Sequence, residues 1–326
     1  MTKRFHKTEA VGTVTDKSRR KPVPKKKSAL SQIRKCWQLY VLLIPTVVYL
    51  FIFHYLPMAG IQIAFRDYKF SRGIWNSAWV GLKHFRTFFE SVQFGTLMMN
   101  TIKISVYALL LGFPFPILLA LLLNESRNVR LKKAVQTLTY APYFISTVVM
   151  VSMLSMFLSP SVGIVNRIIG FFGGTPYDFM GSAKAFRSVY VISGIWQGTG
   201  WSSIIFIAAL AGIDPQLHEA AEIDGASRLQ RIWHINLPGI LPTAVIVFIM
   251  NCGSIMSVGF EKVYLMQNSM NQSTSEIIAT YVYKMGIQKT QYSYTTAIGL
   301  FNSLINLVLL LIVNHISKKA SEISIF

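Results

Sequence analysis

Six stretches of mainly Leu, Ile, Val and Phe alternate along the chain with more polar segments. Each stretch supplies the roughly 20 residues that an α-helix needs to cross a bilayer. None shows the strict apolar–polar alternation of a barrel strand. The pattern therefore predicts an all-α, polytopic membrane protein with six transmembrane helices. The predicted spans cover residues 37–63, 98–124, 134–158, 188–211, 240–265 and 295–316.

The composition agrees with this pattern and adds a high positive charge. The 326 residues are 52% hydrophobic and only 14% charged, yet the formal net charge is +19. Soluble proteins contain about 25% charged residues, so an ordinary soluble enzyme is excluded. The apolar content excludes a disordered chain, and two cysteines exclude a disulfide scaffold. A nucleic-acid binder would explain the charge but not the apolar bulk.

Much of the positive charge lies in residues 1–35, which hold twelve of the 32 Lys and Arg residues and only two acids. We expect this segment to be a basic, disordered cytoplasmic tail. Its polar length, followed by a full-length apolar span, excludes a cleavable signal peptide. The favoured interpretation is a topology signal near anionic lipid headgroups. An arm that binds nucleic acid or a partner protein is the alternative.

The distribution of Lys and Arg predicts that both termini are cytoplasmic. With the N-terminus inside, twenty of these residues face the cytoplasm and eleven lie in the outer loops; positive charge favours the inner side. The predicted organisation is the tail (1–35), the first helix with its outer loop (36–97), a five-helix core (98–316) and a short cytoplasmic tail (317–326).

The cytoplasmic loop at residues 213–239 is too long and too patterned for a plain connector. Asp214 and Pro215 predict a helix start, and Gly225 predicts the left-handed turn that ends this helix. A second short helix follows from 226 to 236, and Leu237-Pro238 is expected to stop it. The amphipathic pattern fits either an interfacial helix or a helix that docks into a groove on a cytoplasmic partner.

Three short motifs stand in this loop: Glu219-Ala220-Ala221, Asp224-Gly225-Ala226 and Ile235-Asn236-Leu237-Pro238. In residues and spacing the loop resembles the EAA signature of binding-protein-dependent ABC importer permeases. Residues 79–85 resemble an outer-loop signature of carbohydrate-importer permeases. Residues 259–263, 276–283 and 292–301 resemble the subfamily that serves complex oligosaccharides and polysaccharide fragments. The resemblance covers nearly everything after the tail.

The resemblance implies a type I ABC importer permease fold, in which the loop is the coupling helix that fits a cleft in the ATPase. Glu219 would be its ionic anchor. For Asp224, a cap of the second helix and a plain local cap both remain open. The implied coupling residues are Glu219, Ala220, Ala221, Asp224, Gly225, Ile235, Leu237 and Pro238.

The resemblance also implies a transport function in the bacterial cytoplasmic (inner) membrane. The chain would be the permease subunit of an ATP-driven importer of oligosaccharides. The implied partners are a second homologous permease, two ATPase subunits, an extracytoplasmic solute-binding protein and membrane lipid, with no nucleic acid. The chain has no G-x-x-x-x-G-K-[ST] motif, so ATP and Mg would be used by the partner ATPase.

Catalytic and metal sites are not predicted. The six histidines show no metal-ligand spacing, no G-x-S-x-G occurs, and each cysteine is expected to be a small apolar packing residue. The chain is therefore expected not to be an enzyme and to bind no cofactor itself.

The expected substrate path follows from positions that resemble sugar contacts in related permeases: Gln197, Trp201, Met256, Ser257 and Phe260. The competing interpretation makes Gln197 an interhelical hydrogen-bond donor and Trp201 a bundle or interface aromatic. Asn302 and Asn306 are expected to hold helices together.

Alternative functions are the same machine for a non-sugar solute, a stand-alone secondary transporter, or a membrane scaffold that uses the basic tail. The carbohydrate-type motifs argue against the first, and the lack of an internal repeat or an intramembrane ion pair argues against the second. The basic outer loops are a weak indication of acidic glycans.

Overall fold

The computed structural model describes residues 37–321. The tail predicted at residues 1–35 therefore lies outside the described residues, as do positions 322–326. The chain forms two compact units that divide after Ala59.

The first unit contains a long apolar helix. It consists of α1 (Trp37–Leu50), a π-helical turn (Phe51–Tyr55) and α2 (Leu56–Met58). Pro45 lies inside α1, and Pro57 follows the π-helical turn, whose wider ring lets the helix pass a residue that cannot donate. A 3₁₀ turn (Ala59–Phe65) prolongs the helical run. Residues Trp37–Phe65 are long and apolar enough to cross a membrane, as predicted for the first span.

The described part of the second unit is mainly helical and contains one two-stranded antiparallel sheet, in which β1 (Arg66–Asp67) pairs with β2 (Ala78–Trp79). Its helices are α3 (Lys83–Phe89), α4 (Gln93–Gly112), α5 (Pro114–Glu125), α6 (Val129–Tyr140), α7 (Thr147–Phe157), α8 (Ile164–Phe171), α9 (Phe186–Ala211), α10 (Pro215–Ile223), α11 (Arg228–Arg231), α12 (Leu237–Gly253), α13 (Phe260–Met266), α14 (Gln272–Ser275), α15 (Ile278–Tyr283) and α16 (Tyr292–Ser321). The predicted all-α class is confirmed.

Five helical runs within residues 37–321 are long and apolar enough to span a bilayer. Besides the first, they are Gln93–Glu125, Phe186–Ala211, Arg228–Gly253 and Tyr292–Lys319. The predicted second, fourth and sixth spans lie within three of these runs.

The third predicted span, residues 134–158, is not one straight helix. Its two halves meet at 102°. Pro142 cannot donate a backbone hydrogen bond, and the chain takes a 3₁₀ turn at Ala141–Phe144. Ser146 then starts α7 by accepting a hydrogen bond from the Val149 N–H. The described chain therefore has six spans only if this bent pair counts as one.

The fifth predicted span, residues 240–265, was placed too far along the chain. Its helix ends at Gly253, and α13 is a separate short helix after a non-helical stretch at residues 254–259. Backbone turns follow Gly253, where the Ser254 N–H bonds to the Asn251 carbonyl. Helix α13 thus packs against α7 and α15 instead of extending α12.

Helix α9 is the centre of the second unit, where it packs against α4, α5, α6 and α12. Small residues allow backbones to approach closely in membrane bundles. At Gly200 an added Cβ would lie 2.0 Å from the Thr139 carbonyl oxygen. Buried Phe206 and Leu210 join α9 to Ile240 and Ala244 of α12. These contacts hold α9 and α12 together at the end of the bundle where the loop 213–239 connects them.

Candidate functional site

The loop between α9 and α12 begins with a capped helix, as predicted. Asp214 Oδ1 accepts a 3.0 Å hydrogen bond from the Gln216 N–H, and Pro215 occupies the first turn of α10. None of the α10 side chains is buried. Glu219 and Ala220 are exposed, and Ala221 is half-buried. The first two residues of the EAA motif are thus open to a partner.

A Schellman motif ends α10 at Gly225. The Ala226 N–H bonds to the Ala221 carbonyl at 2.8 Å, and the Gly225 N–H bonds to the Glu222 carbonyl at 3.1 Å. Gly225 has a φ of +76°, in the left-handed region that glycine adopts without steric cost. The predicted turn is present.

Asp224 does not cap the second helix, so that interpretation was wrong. It is the C-cap residue that follows α10, and its N–H bonds back to the Ala220 carbonyl. Ser227 is the cap of α11 and forms a capping box with Gln230. The two residues between Asp224 and Ser227, Gly225 and Ala226, form the turn that separates the two helices.

The expected stop at Leu237-Pro238 is also wrong. Residues Arg228–Gly253 form a continuous helical run. A π-helical turn (Ile232–Asn236) precedes the proline, and the Leu237 N–H bonds to the Ile232 carbonyl. The wider turn lets the helix pass a residue that cannot donate. Ile235 and Leu237 are half-buried, and Pro238 is exposed.

The loop is anchored to the bundle on both sides. Arg231 forms an ion pair with Glu222 that joins the two helices of the loop. The side chain of Asn236, which is fully buried, donates a 3.2 Å hydrogen bond to Glu125 at the end of α5. An added Cβ at Gly239 would lie 2.5 Å from the Ile213 side chain. The loop is therefore a packed element of the bundle.

A cavity of about 600 Å³ lies between α4, α5, α9 and α12. Its wall combines apolar surface with hydroxyl and amide groups and with aromatic rings. The polar and aromatic residues of the wall are Ser105, Phe113, Tyr190, Trp201, Ser202, Phe206, Asn251, Ser254 and Ser257.

A second cavity of about 320 Å³ adjoins the first, with Tyr190 and Ser202 in both walls. Gln197, Thr199 and Lys262 line it. The two cavities lie side by side along α9, with polar groups in both walls.

Three of the five residues predicted for the substrate path line these cavities. Trp201 and Ser257 line the larger one, and Gln197 lines the smaller one. The Trp201 ring stacks on Tyr143, with centroids 4.6 Å apart. Gln197 Nε2 donates a 2.9 Å hydrogen bond to the Ile145 carbonyl, which the bend between α6 and α7 leaves outside the helical ladder.

Met256 and Phe260 are not among the residues that line the cavities. Met256 is 2% exposed and packs in a hydrophobic cluster with Phe88 and Leu97. Phe260 packs on the rings of Tyr264 and Tyr283. Asn302 and Asn306 have structural roles, as expected, but they join α16 to the non-helical stretch after α12 and not to another helix. Asn302 donates to the Met256 carbonyl, and Asn306 accepts from the Met256 N–H and donates to Ser257 Oγ.

Sequence reasoning missed Tyr190, Asn251 and Lys262. Tyr190 lies two helical turns before Gln197 on α9, so helical spacing could have identified it, whereas Asn251 has no such spacing to Ser257, which lies beyond the end of α12. Lys262 was counted with the outer loops, because nothing local shows that α13 folds over α9. No cluster of His, Cys, Asp or Glu within residues 37–321 has the arrangement of a metal site.

Comparisons with known proteins give consistent matches. The family model described as "Binding-protein-dependent transport system inner membrane component" matches residues 112–322. Protein LplB of Bacillus subtilis (strain 168) is 42% identical over 315 residues, which cover 93% of this chain and 99% of LplB. The polygalacturonan/rhamnogalacturonan transport system permease protein YteP of the same organism is 43% identical over 302 residues, which cover 93% and 94%.

Two solved structures match at 39% identity. A bacterial ABC transporter involved in the import of the acidic polysaccharide alginate matches with a TM-score of 0.83, over 90% of this chain and 100% of that chain. A bacterial alginate ABC transporter in complex with an alginate pentasaccharide-bound periplasmic protein matches with a TM-score of 0.84, over 92% and 100%.

Proposed function

Because the chain belongs to the family of binding-protein-dependent transport system inner membrane components, we propose that it is the permease subunit of an ATP-driven importer for acidic oligosaccharides. It has the type I ABC importer permease fold. The partners in this proposal are a second, homologous permease, two ATPase subunits that use ATP and Mg, and an extracytoplasmic binding protein. The family membership disfavours a stand-alone secondary transporter.

The observation that carries the coupling role is the direct connection between the loop and the cavity. The loop joins α9 to α12, and both helices line the larger cavity. Its second half is continuous with α12 in the helical run Arg228–Gly253. A displacement of the loop by a partner would therefore move a cavity wall without an intervening flexible link.

The surface of the loop suits a protein partner with basic groups. Glu219 is exposed and forms no ion pair within residues 37–321. Large apolar side chains are exposed on the same loop: Leu217, Ile223, Leu229 and Trp233. Together with Ala220, Ala221 and the Gly225 turn, this surface fits a short helix that docks into a cleft of the ATPase. In this proposal the loop and both termini face the cytoplasm, in agreement with the Lys and Arg distribution.

The substrate class rests on the cavity and on the relatives. Hydroxyl and amide groups beside aromatic rings suit a sugar, which offers both hydroxyl groups and flat apolar faces. YteP is named for the transport of polygalacturonan and rhamnogalacturonan, and the two structural matches are transporters of alginate, an acidic polysaccharide. We extend this class, as oligosaccharides, to the present chain.

The test is purification of a tagged chain with its ATPase, followed by oligosaccharide uptake into proteoliposomes that hold the complete importer. We expect Glu219→Lys to lose the ATPase and uptake together. Glu90→Lys is the matched control, since Glu90 is an exposed acid at the other end of the bundle, paired only with surface Arg86. Retention of the ATPase and full uptake by Glu219→Lys would contradict the coupling role.

A further inference from the structure

Lys262 is a buried cation without an acidic partner. Only 9% of it is exposed. Its Nζ donates a 2.8 Å hydrogen bond to the Tyr190 carbonyl and lies 4.6 Å from the centroid of the Tyr190 ring. Within residues 37–321 the ion pairs are Arg86–Glu90, Arg231–Glu222 and Lys284–Glu276, and Lys262 belongs to none of them.

Lys262 also has a special place in the cavity walls. Of all the residues that line the two adjoining cavities in the described part of the chain, it is the only charged one. Gln197, Thr199 and Ser202 of α9 line the same small cavity. A single positive charge thus stands among neutral hydrogen-bonding groups on the proposed route.

Burying the charge of Lys262 costs free energy unless other groups compensate for its lost hydration. A buried charge is normally paired or fully hydrogen-bonded. An ammonium group has three donors, and the Tyr190 carbonyl accepts one of them. The Tyr190 ring adds a cation–π contact. Gly194 keeps the site open, since a Cβ there would come within 3.3 Å of Nζ. The remaining donors and the net charge are suited to an anion that enters from the cavity.

We propose that Lys262 is a specificity-determining residue that binds the carboxylate of a uronate unit as the oligosaccharide passes along α9. The proposal rests on the proposed import function and adds the group that distinguishes acidic from neutral sugars. The neutral groups of Gln197, Thr199 and Ser202 would bind the hydroxyls of the same sugar unit. A lysine carboxylate contact inside a bundle is stronger than at the surface, because little water screens it.

A purely structural role is the competing explanation, in which Lys262 ties α13 to α9 through the Tyr190 carbonyl. Two substitutions separate the roles. Lys262→Gln keeps a side-chain donor for that carbonyl but removes the charge. Lys262→Arg keeps the charge. A structural tie tolerates Gln at least as well as Arg, whereas a carboxylate site tolerates only Arg.

The experiment uses the complete importer in proteoliposomes, with its binding protein, and measures uptake of trigalacturonate and of the same trisaccharide with its carboxyls reduced to alcohols. We expect Lys262→Gln to lower trigalacturonate uptake about tenfold, the effect of one hydrogen bond to a charged group, and to leave uptake of the neutral sugar within about twofold of the wild type. Lys262→Arg should retain most trigalacturonate uptake. Lys318→Gln, which removes an exposed lysine outside the cavities, is the matched control.

Equal losses of acidic and neutral uptake in Lys262→Gln would overturn the proposal in favour of the structural tie, and unchanged acidic uptake would overturn it outright. If the wild-type importer does not take up the neutral sugar, trigalacturonate uptake is compared between Lys262→Gln and Lys262→Arg. Equal losses of this uptake in the two variants would contradict the proposal. A wild-type importer that takes up neither sugar would contradict the proposed acidic-oligosaccharide function itself, and the carboxylate role with it.

Discussion

The side-chain amide nitrogen of Asn236 lies 3.2 Å from Oε1 of Glu125 and donates a hydrogen bond to it. This contact ties the end of the loop to the last turn of α5, a helix whose first turn lines both cavities through Pro116. Asn236 is fully buried, and its own Oδ1 has no hydrogen-bond partner among the described residues. The contact is therefore a place where loop movement and bundle packing are directly linked.

The first prediction concerns this contact. Asn236→Ala should lower the free energy of unfolding by about 1–3 kcal/mol, because a buried hydrogen bond to a charged group is lost. It should also lower the fraction of ATP hydrolysis that is coupled to uptake. Asn236→Asp should be more harmful, because it places two carboxylates together. Thermal unfolding of the purified complex and parallel uptake and ATPase assays measure both effects.

A double variant supplies the control for that prediction. In the Asn236→Asp background, Glu125→Gln should recover stability, because the new amide can donate to the new carboxylate. If the double variant is no more stable than Asn236→Asp alone, the contact does not contribute in the way described.

The second prediction concerns the turn between α10 and α11. Gly225 has a positive φ and nothing within 4 Å of an added Cβ, so a substitution there costs backbone strain alone. Gly225→Ala should cost about 1–2 kcal/mol and weaken capture of the ATPase, while Gly225→Asn should cost less, since Asn tolerates this conformation. Gly170→Ala is the matched control, because Gly170 has equally open space and no positive φ. The measurement is ATPase capture by the tagged chain. Equal capture by the Gly225→Ala and Gly225→Asn variants would contradict the prediction.

The third prediction concerns the contact between α9 and α6. Gly200→Ala should force the helices apart, because the added methyl would lie 2.0 Å from the Thr139 carbonyl oxygen. We expect a loss of about 1–3 kcal/mol in stability, as in other overpacked sites. Gly198→Ala on the same helix meets nothing within 4 Å and should leave the unfolding temperature nearly unchanged. Thermal unfolding of both variants measures the difference, and similar temperatures would show that the helices separate without cost.

The fourth prediction is a pH dependence of acidic-sugar uptake. Burial lowers the pKa of Lys262 to about 8, and a lysine with a lowered pKa is charged below that pH and neutral above it. Uptake of trigalacturonate should therefore fall between pH 7 and about pH 9. The phenol of Tyr190 is in contact with Lys262. Of the elements involved, α13 itself carries Glu261 and Tyr264, α15 packed against it carries Tyr281 and Tyr283, and α7 packed against it carries no titratable side chain.

The Lys262→Arg variant is the control for the pH profile, because arginine stays charged over this range. Its uptake should change less than that of the wild type, while effects of pH on the binding protein and on the ATPase are common to both. Parallel profiles in the two proteins would exclude Lys262 as the titrating group.

Much of the loop was predictable because its signals are local. The helix start at Asp214 and Pro215 and the turn at Gly225 each depend on a few neighbouring residues. The role of Asp224 was not predictable in this way. Ser227 was available to cap α11, and the Schellman turn occupies the residues between Asp224 and Ser227. The stop predicted at Pro238 failed for a similar reason, since the π-helical turn that accommodates the proline is a property of several residues together.

The sequence by itself determined the apolar helical segments and the EAA loop, because a bilayer span and a capped turn depend on residues close together in the chain. Only the tertiary structure decided the 102° bend at Ile145 with its bond to Gln197, the burial of Met256, and the position of Lys262 beside Tyr190. These depend on contacts between distant parts of the chain: Lys262 meets Tyr190, which is 72 positions away, and Met256 packs with Phe88 and Leu97, which are farther still. Such contacts leave no period or spacing in a single sequence.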